Sequence, residues 1–453
     1  MLVLIVHYHL RCGGVTRVIE SQVRALSNQG HKVVVASSGP KVDWCEEQII
    51  IPELDYCLES NLSGNDLRDL IPLQPDLWII HNPTLAKNAL FPDFIKNLAG
   101  HQAPLLLQCH DFAEDGRPAN YQRLSETTHL YPLAENIHYA FVNTRDRLSL
   151  IRAGIPEHRC HHLPNAVVPP AAHPAPENPA PLVFCPVRGI RRKNLGELCL
   201  LAAHAPAGGR FAIAVAPENT EWSTVHDRWA ALAQELDLPI EFNVADRLSP
   251  TPDADPSFSS WLGHATHLVT TSIAEGFGLT FLEPALLGKP LIGRDLPEIT
   301  RDFSDTPLGS LYENIPIDLI ALDLDLLKKD YLSQLTATFQ SYNRILSDDE
   351  QEQNWLNFIA TGSLDFGNLP ESHQEHLIRN HRLPELEQWL EKSLSVSAQP
   401  IATDSWSIDH YGIALQNIID AVVDSTPGAP DWLPKQNVLA QFISPDRFHF
   451  LRT

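Results

Sequence analysis

The chain has 453 residues, 43% of them apolar and 20% charged, and a formal net charge of −23 at pH 7. That length leaves room for two or three domains and a sizeable core, and the balance is that of a folded protein rather than a disordered one. So acidic a chain argues against nucleic acid or an anionic membrane as the main partner, and it makes any local cluster of positive side chains informative.

The opening MLVLIVHYH is too short for a membrane span and lacks a basic leader, so it reads as a first β-strand, Met1–Tyr8. Gly13 and Gly14 follow, and then Val15, Val18, Ile19, Val23 and Leu26 fall on one helical face, closed by Gly30 before the strand 32–36. Further strands are expected at 49–51, 77–80, 105–109 and 138–142, which makes residues 1–168 a Rossmann-like domain with a parallel sheet. The segment 169–181, PPAAHPAPENPAP, holds six prolines and reads as a linker. A second alternating series follows: strands at 182–187, 211–216, 240–244, 267–271 and 291–293, with helices at 195–203 and 223–236. The expected architecture is α/β, with two Rossmann-like parallel-sheet domains, 1–168 and 182–402, facing across a cleft, the default place for a ligand. Helices are also expected at 326–346, 384–394 and 406–422. The seven cysteines (12, 45, 57, 109, 160, 185 and 199) form no C-x-x-C pair and read as reduced thiols of a cytoplasmic protein.

The most informative stretch is TTSIAEGFGLTFLEPALLGKP, residues 270–290. It reads as a strand end, a Gly-rich turn at Glu275-Gly276-Phe277-Gly278, and a helix entered through Leu279 and Thr280 and carrying Glu283. A helix N-terminus favours phosphate, and glycines let the backbone come close to it. Seven residues separate Glu275 from Glu283, which lies roughly 10 Å along the helix at about 1.5 Å per residue, so each carboxylate can take hydroxyl pairs on either side of a diphosphate. At the end of the first strand of the second domain, VRGIRRKNLGE places Arg188, Arg191, Arg192 and Lys193 together, where they could stabilise a departing diphosphate. Gly13-Gly14 opens the first helix, but Cys12 and Val15-Thr16-Arg17 break the G-x-G-x-x-G frame, so dinucleotide binding is unsupported.

SIAEGFGLTFLEPALLGKPLI resembles the E-x7-E signature of retaining glycosyltransferases with the two-domain B-type fold, closest to family 4. GGVTRVIESQVRAL resembles the same family's first loop, and Arg188 with Lys193 matches its R-x4-K spacing. Pro284 stands where Ala is usual, and the Gly-Gly usually found near Asp295–Glu298 is missing. The resemblance implies that Glu275 binds the sugar, Glu283 the ribose, and Arg188 with Lys193 the diphosphate; Arg191 or Arg192 could stand in for one of that pair, and Arg192 counts among the donor-binding residues. Gly276, Phe277, Gly278, Leu279 and Thr280 would line the donor, with Gly13 and Gly14 against it. It also implies that His110, by its ring or the adjoining backbone, contacts the transferred hexose. The last helix, within 403–453, would cross back to the first domain. The loop after His110 reads as an acceptor site through Arg117, Asn120 and Tyr121. No metal or organic cofactor is expected: the D-x-D pairs Asp253/Asp255 and Asp323/Asp325 read as loop and cap residues, and the sugar nucleotide is a co-substrate. The expected partners are thus a nucleotide diphosphate sugar and a small-molecule or glycan acceptor. Two other readings remain open: a nucleotide-sugar epimerase or hydrolase on the same fold, and a non-catalytic sugar-nucleotide sensor.

Overall fold

The structure, a computed structural model, describes residues 1–168, 170–174, 181–397 and 404–452, and for Glu221 the backbone only. Residues 169 and 175–180 of the Pro-rich linker lie outside them. The chain divides into two compact units, one of Met1–Val167, Thr338–Arg344 and Thr403–Arg447, the other of Val168–Ala337, Ile345–Ala402 and Phe448–Thr453. The expected boundaries are therefore amended twice. Residues 338–344 group with the first unit, and 448–453 group with the second rather than forming a tail on the first.

The first unit is built on seven parallel strands in the order Glu47–Ile50, Lys32–Ser37, Leu2–Val6, Leu77–His81, Leu105–Cys109, Ile137–Phe141 and Cys160–His162. The order reverses between Leu2–Val6 and Leu77–His81, and beyond the carboxyl ends of strands at such a switch point open sheets bind ligands. The strands read as near-continuous apolar runs because both faces are covered. On one face lie the helix Gly14–Asn28 and the helix Ile408–Val423. Tyr411, Leu415, Ile418, Ile419 and Val422 share a core with Val3, Ile5, Ile19, Val23 and Leu26. Gly412 lets the two helices approach, since a Cβ there would lie 3.3 Å from that of Ala25.

The second unit has six parallel strands in the order Ile240–Glu241, Arg210–Val215, Leu182–Arg188, His267–Thr270, Leu291–Arg294 and Ser310–Tyr312. Its switch point falls between Leu182–Arg188 and His267–Thr270, the two strands that lead into the basic cluster and the Glu275 turn. The long stretch after residue 300 holds the helices Leu324–Ser341, Asp348–Phe358, Glu371–Asn380 and Pro384–Ser393. A buried ion cluster braces this unit. Arg294 donates through Nε to Glu197 Oε1 at 2.9 Å and through Nη1 to Asp365 Oδ2 at 2.8 Å, while Tyr312 Oη donates to Glu197 Oε1 at 2.8 Å. Glu197 is fully buried, so removing its partner leaves a carboxylate out of water. Arg294→Met is expected to lower unfolding stability by about 3–5 kcal/mol, read as a fall in the urea midpoint at unchanged slope.

Candidate functional site

In the second unit, the turn after His267–Thr270 and the turn after Leu182–Arg188 are fastened together. Ile273 N–H donates to Arg192 O at 3.0 Å and Thr271 Oγ1 donates to Lys193 O at 2.7 Å. This fixes the short 3-10 turn Arg191–Lys193 beside Glu275. Lys193 Nζ lies 2.5 Å from Glu275 Oε1, and Arg192 Nη1 reaches Ala274 O at 2.7 Å and Glu275 Oε2 at 3.4 Å. The Lys193 and Glu275 side chains each keep only 10% of their surface exposed. Burial alone would push the Glu275 carboxyl up, but Lys193 and Arg192 outweigh it and hold the group below its ordinary value.

Of the four basic residues, the structure brings Arg192 and Lys193 to Glu275. Arg188 is half exposed and pairs with Glu218 at 2.9 Å, and Arg191 is spent on Glu371 at 2.6 and 2.9 Å. The helix Leu279–Leu286 starts without a side-chain cap, from Gly278 at φ 94. A Cβ on Gly278 would meet Ile299, Phe281 and Phe303 at 2.9–3.1 Å, so this glycine is demanded by backbone and packing alike. Phe277 packs edge-on against Phe303, and Gly276, Leu279, Thr280 and Glu283 are partly exposed around the same turn. Pro284 lies inside the helix and has no N–H to give to the Thr280 carbonyl.

In the first unit, Gly13 caps the helix Gly14–Asn28 in extended backbone, again without a side-chain cap. A Cβ on Gly14 would meet nothing within 4 Å, and one on Gly13 only Arg11 O at 3.9 Å. Neither glycine is required by conformation or by packing, unlike Gly278, so the open space beside them is available to a ligand. His81 ends one central strand and His110 follows the next. Their rings lie edge to edge, within 7° of parallel and with centroids 5.1 Å apart; His81 Nδ1 is 2.8 Å from His110 Nε2, and His81 Nε2 is 2.8 Å from Gln22 Oε1. The backbone N–H groups of His110 and Asp111 both donate to Asn82 Oδ1, at 2.9 and 3.1 Å. Asn82 itself sits at φ 50, held by Tyr8 Oη, which donates to its carbonyl at 2.8 Å.

The loop expected to bind an acceptor is occupied with its own structure. Arg117 donates to Asp111 Oδ1 at 2.5 Å and to Asp115 O at 3.1 Å. Asn120 is buried and donates to Leu85 O at 2.9 Å, and Tyr121 is buried against Tyr342 with ring centroids 5.3 Å apart. Asn120 is thus a strut of the loop rather than a hydroxyl contact: its amide replaces the partner that the Leu85 carbonyl lacks. Of the D-x-D residues, Asp323 caps a helix by accepting from Leu326 N–H at 3.0 Å, and Asp255 accepts from Ser257 N–H at 2.8 Å. Sequence reasoning missed Gln22 and Asn82. The signal was there in Gln22, a polar residue on the buried face set by Val18, Ile19 and Val23.

Three substitutions test this geometry. Gly14→Ala is expected to keep or raise the melting temperature, since Ala favours a helix and a Cβ there meets nothing within 4 Å. Gly278→Ala is expected to cost about 1–3 kcal/mol in the same melts. The depressed folded value of Glu275 means that its pair with Lys193 adds stability above the ordinary carboxylate range, and that this is lost as pH falls through the folded value. Lys193→Met removes the larger of the two charges that offset burial, so stability at pH 7 is expected to drop by about 3 kcal/mol, and by less at a pH low enough for Glu275 to take a proton.

Residues 12–169 match Glycosyltransferase Family 4. A mannosylglucosyl-3-phosphoglycerate synthase from Petrotoga mobilis is 25% identical, the match covering 99% of this chain and 98% of that protein. The Anabaena HepE structure in complex with UDP-glucose aligns with a TM-score of 0.51 at 11% identity, covering 93% of this chain and 99% of that one. The catalytic domain of starch synthase IV from Arabidopsis thaliana, bound to ADP and acarbose, aligns with a TM-score of 0.50 at 12% identity, covering 93% and 99%. Residues 12–169 are thus similar to Glycosyltransferase Family 4, and the chain has the B-type glycosyltransferase fold.

Proposed function

We propose that this chain is a cytoplasmic, metal-independent, retaining glycosyltransferase that moves a hexose from a nucleotide diphosphate sugar to a small anionic acceptor. The observation that carries the reading is the contact of Glu275 with Lys193 and Arg192 beside the uncapped helix at Leu279. Two cations and a helix N-terminus form a seat for a diphosphate, and they stabilise the charge that builds on it as the bond to the sugar breaks. When phosphate oxygens draw Lys193 and Arg192 away, Glu275 becomes an acceptor for sugar hydroxyls. Arg188, half exposed at the strand end, can leave Glu218 for the same phosphates. Glu283 on the following helix is assigned to the ribose, and the ring of His110 with Gly13-Gly14 to the hexose side. With Glu275 ion-paired, retention is assigned to attack on the face the diphosphate vacates, a phosphate oxygen taking the acceptor proton. The near-complete match in both directions to a synthase named for mannosylglucosyl-3-phosphoglycerate supports an acceptor bearing glycerate and phosphate.

A thermal-shift screen of UDP-, GDP- and ADP-sugars tests the donor, since a ligand present at 100 times its Kd stabilises by about 2.7 kcal/mol. One base is expected to raise the melting temperature of the wild type and to leave Glu275→Gln unmoved. Transfer to phosphorylated glycosyl-glycerates, with the anomeric configuration kept and full activity in EDTA, is expected in the follow-up assay. Donor consumed equally fast with no acceptor present would instead indicate an epimerase or hydrolase.

A further inference from the structure

Gln22, His81 and His110 form a line of hydrogen bonds inside the first unit, and its polarity is set at the buried end. Gln22 Nε2 donates to Gln108 Oε1 at 2.5 Å, so the atom that Gln22 turns to His81 Nε2, 2.8 Å away, is its carbonyl oxygen. A carbonyl only accepts, and therefore His81 Nε2 carries the hydrogen. Burial first, and then the neighbouring His110 and His7, hold His81 well below the ordinary histidine range, so the ring is neutral at pH 7 with a lone pair at Nδ1. That lone pair faces His110 Nε2 at 2.8 Å, which must be the donor. His110 is neutral as well, since burial lowers its pKa to about 4. Its single N–H is committed to His81, and Nδ1 keeps a lone pair that makes no hydrogen bond among the described residues. His110 retains 8% exposure, whereas His81 and Gln22 have none.

We propose that Gln22 and His81 are positioning residues that hold His110 as its Nε2–H tautomer, so that the ring meets a substrate hydroxyl as a hydrogen-bond acceptor at Nδ1. No proton changes hands: the hydroxyl keeps its hydrogen and its oxygen is oriented. The opposite tautomer would present an N–H and point the hydroxyl oxygen's lone pair inward, reversing which sugar hydroxyl arrangement fits. The identity of the hydroxyl rests on the transferase reading; the tautomer does not.

The test is a two-bond 1H–15N correlation spectrum of histidine-labelled full-length protein at pH 7, assigned with His81→Leu and His110→Gln. The wild type is expected to show His110 protonated at Nε2 alone. In His81→Leu both tautomers are expected, and in His81→Asn, whose side-chain oxygen can take the place of Nδ1, the single tautomer returns. With the sugar nucleotide that is turned over, kcat is expected to fall about tenfold in His81→Leu at unchanged donor KM and to recover in His81→Asn, the size of one orienting hydrogen bond. A wild-type His110 protonated at Nδ1, or at both nitrogens, overturns the proposal, as does an unchanged tautomer in folded His81→Leu. Failure of every sugar nucleotide to turn over would count against the transferase reading, while the wild-type spectrum still decides the tautomer.

Discussion

The second unit is arranged around a carboxylate that water barely reaches. An ionised Glu275 with so little exposure persists only because Lys193 and Arg192 stand against it, and they stand there because Thr271 and Ile273 fasten their turn to the neighbouring strand end. Both turns issue from the two strands at which the sheet order reverses. Sheet topology, backbone clamps and charge compensation thus converge on one spot. The first unit solves a parallel problem without charge: its buried imidazoles are neutral, and direction comes from which nitrogen bears hydrogen.

Most of the strand and helix series was legible, because apolar runs and helical periodicity survive in a single sequence. The helix 195–203 and the strand 105–109 are found with the bounds that periodicity gives. The strand expected over 240–244 is only Ile240–Glu241, since Asn243 and Asp246 both take positive φ and turn the chain away. The edge strand Cys160–His162 carries two histidines and no apolar alternation, which hid it. Beyond residue 300, strands of three residues such as Ser310–Tyr312 are too short to show a period.

The candidate site was legible in its glycines and acids and less so in its cations. A dense run such as Arg188–Lys193 gives residue type but not direction, and a 3-10 turn rotates successive side chains by about 120°. Arg191 therefore meets Glu371, 180 positions away, while its neighbours meet Glu275. Polar groups that serve the backbone are equally hard to foresee. Asn120 looks like a ligand contact in a polar loop and Asn82 shows no role in the sequence, yet each closes hydrogen bonds that the chain's own path leaves open.

The first unit is discontinuous, and its core closes only when Tyr411, Leu415, Ile418, Ile419 and Val422 arrive on the helix Ile408–Val423. During synthesis from the N-terminus, the apolar face formed by Val15, Ile19, Val23 and Leu26 must wait for some four hundred residues to be made. A fragment ending near residue 167 would lack the five apolar side chains that Ile408–Val423 adds to that core. The second unit, mostly laid down in between, also lacks Phe448 and Phe450, which pack on Tyr331, until the chain ends. Both units are therefore completed by the last stretch of the chain.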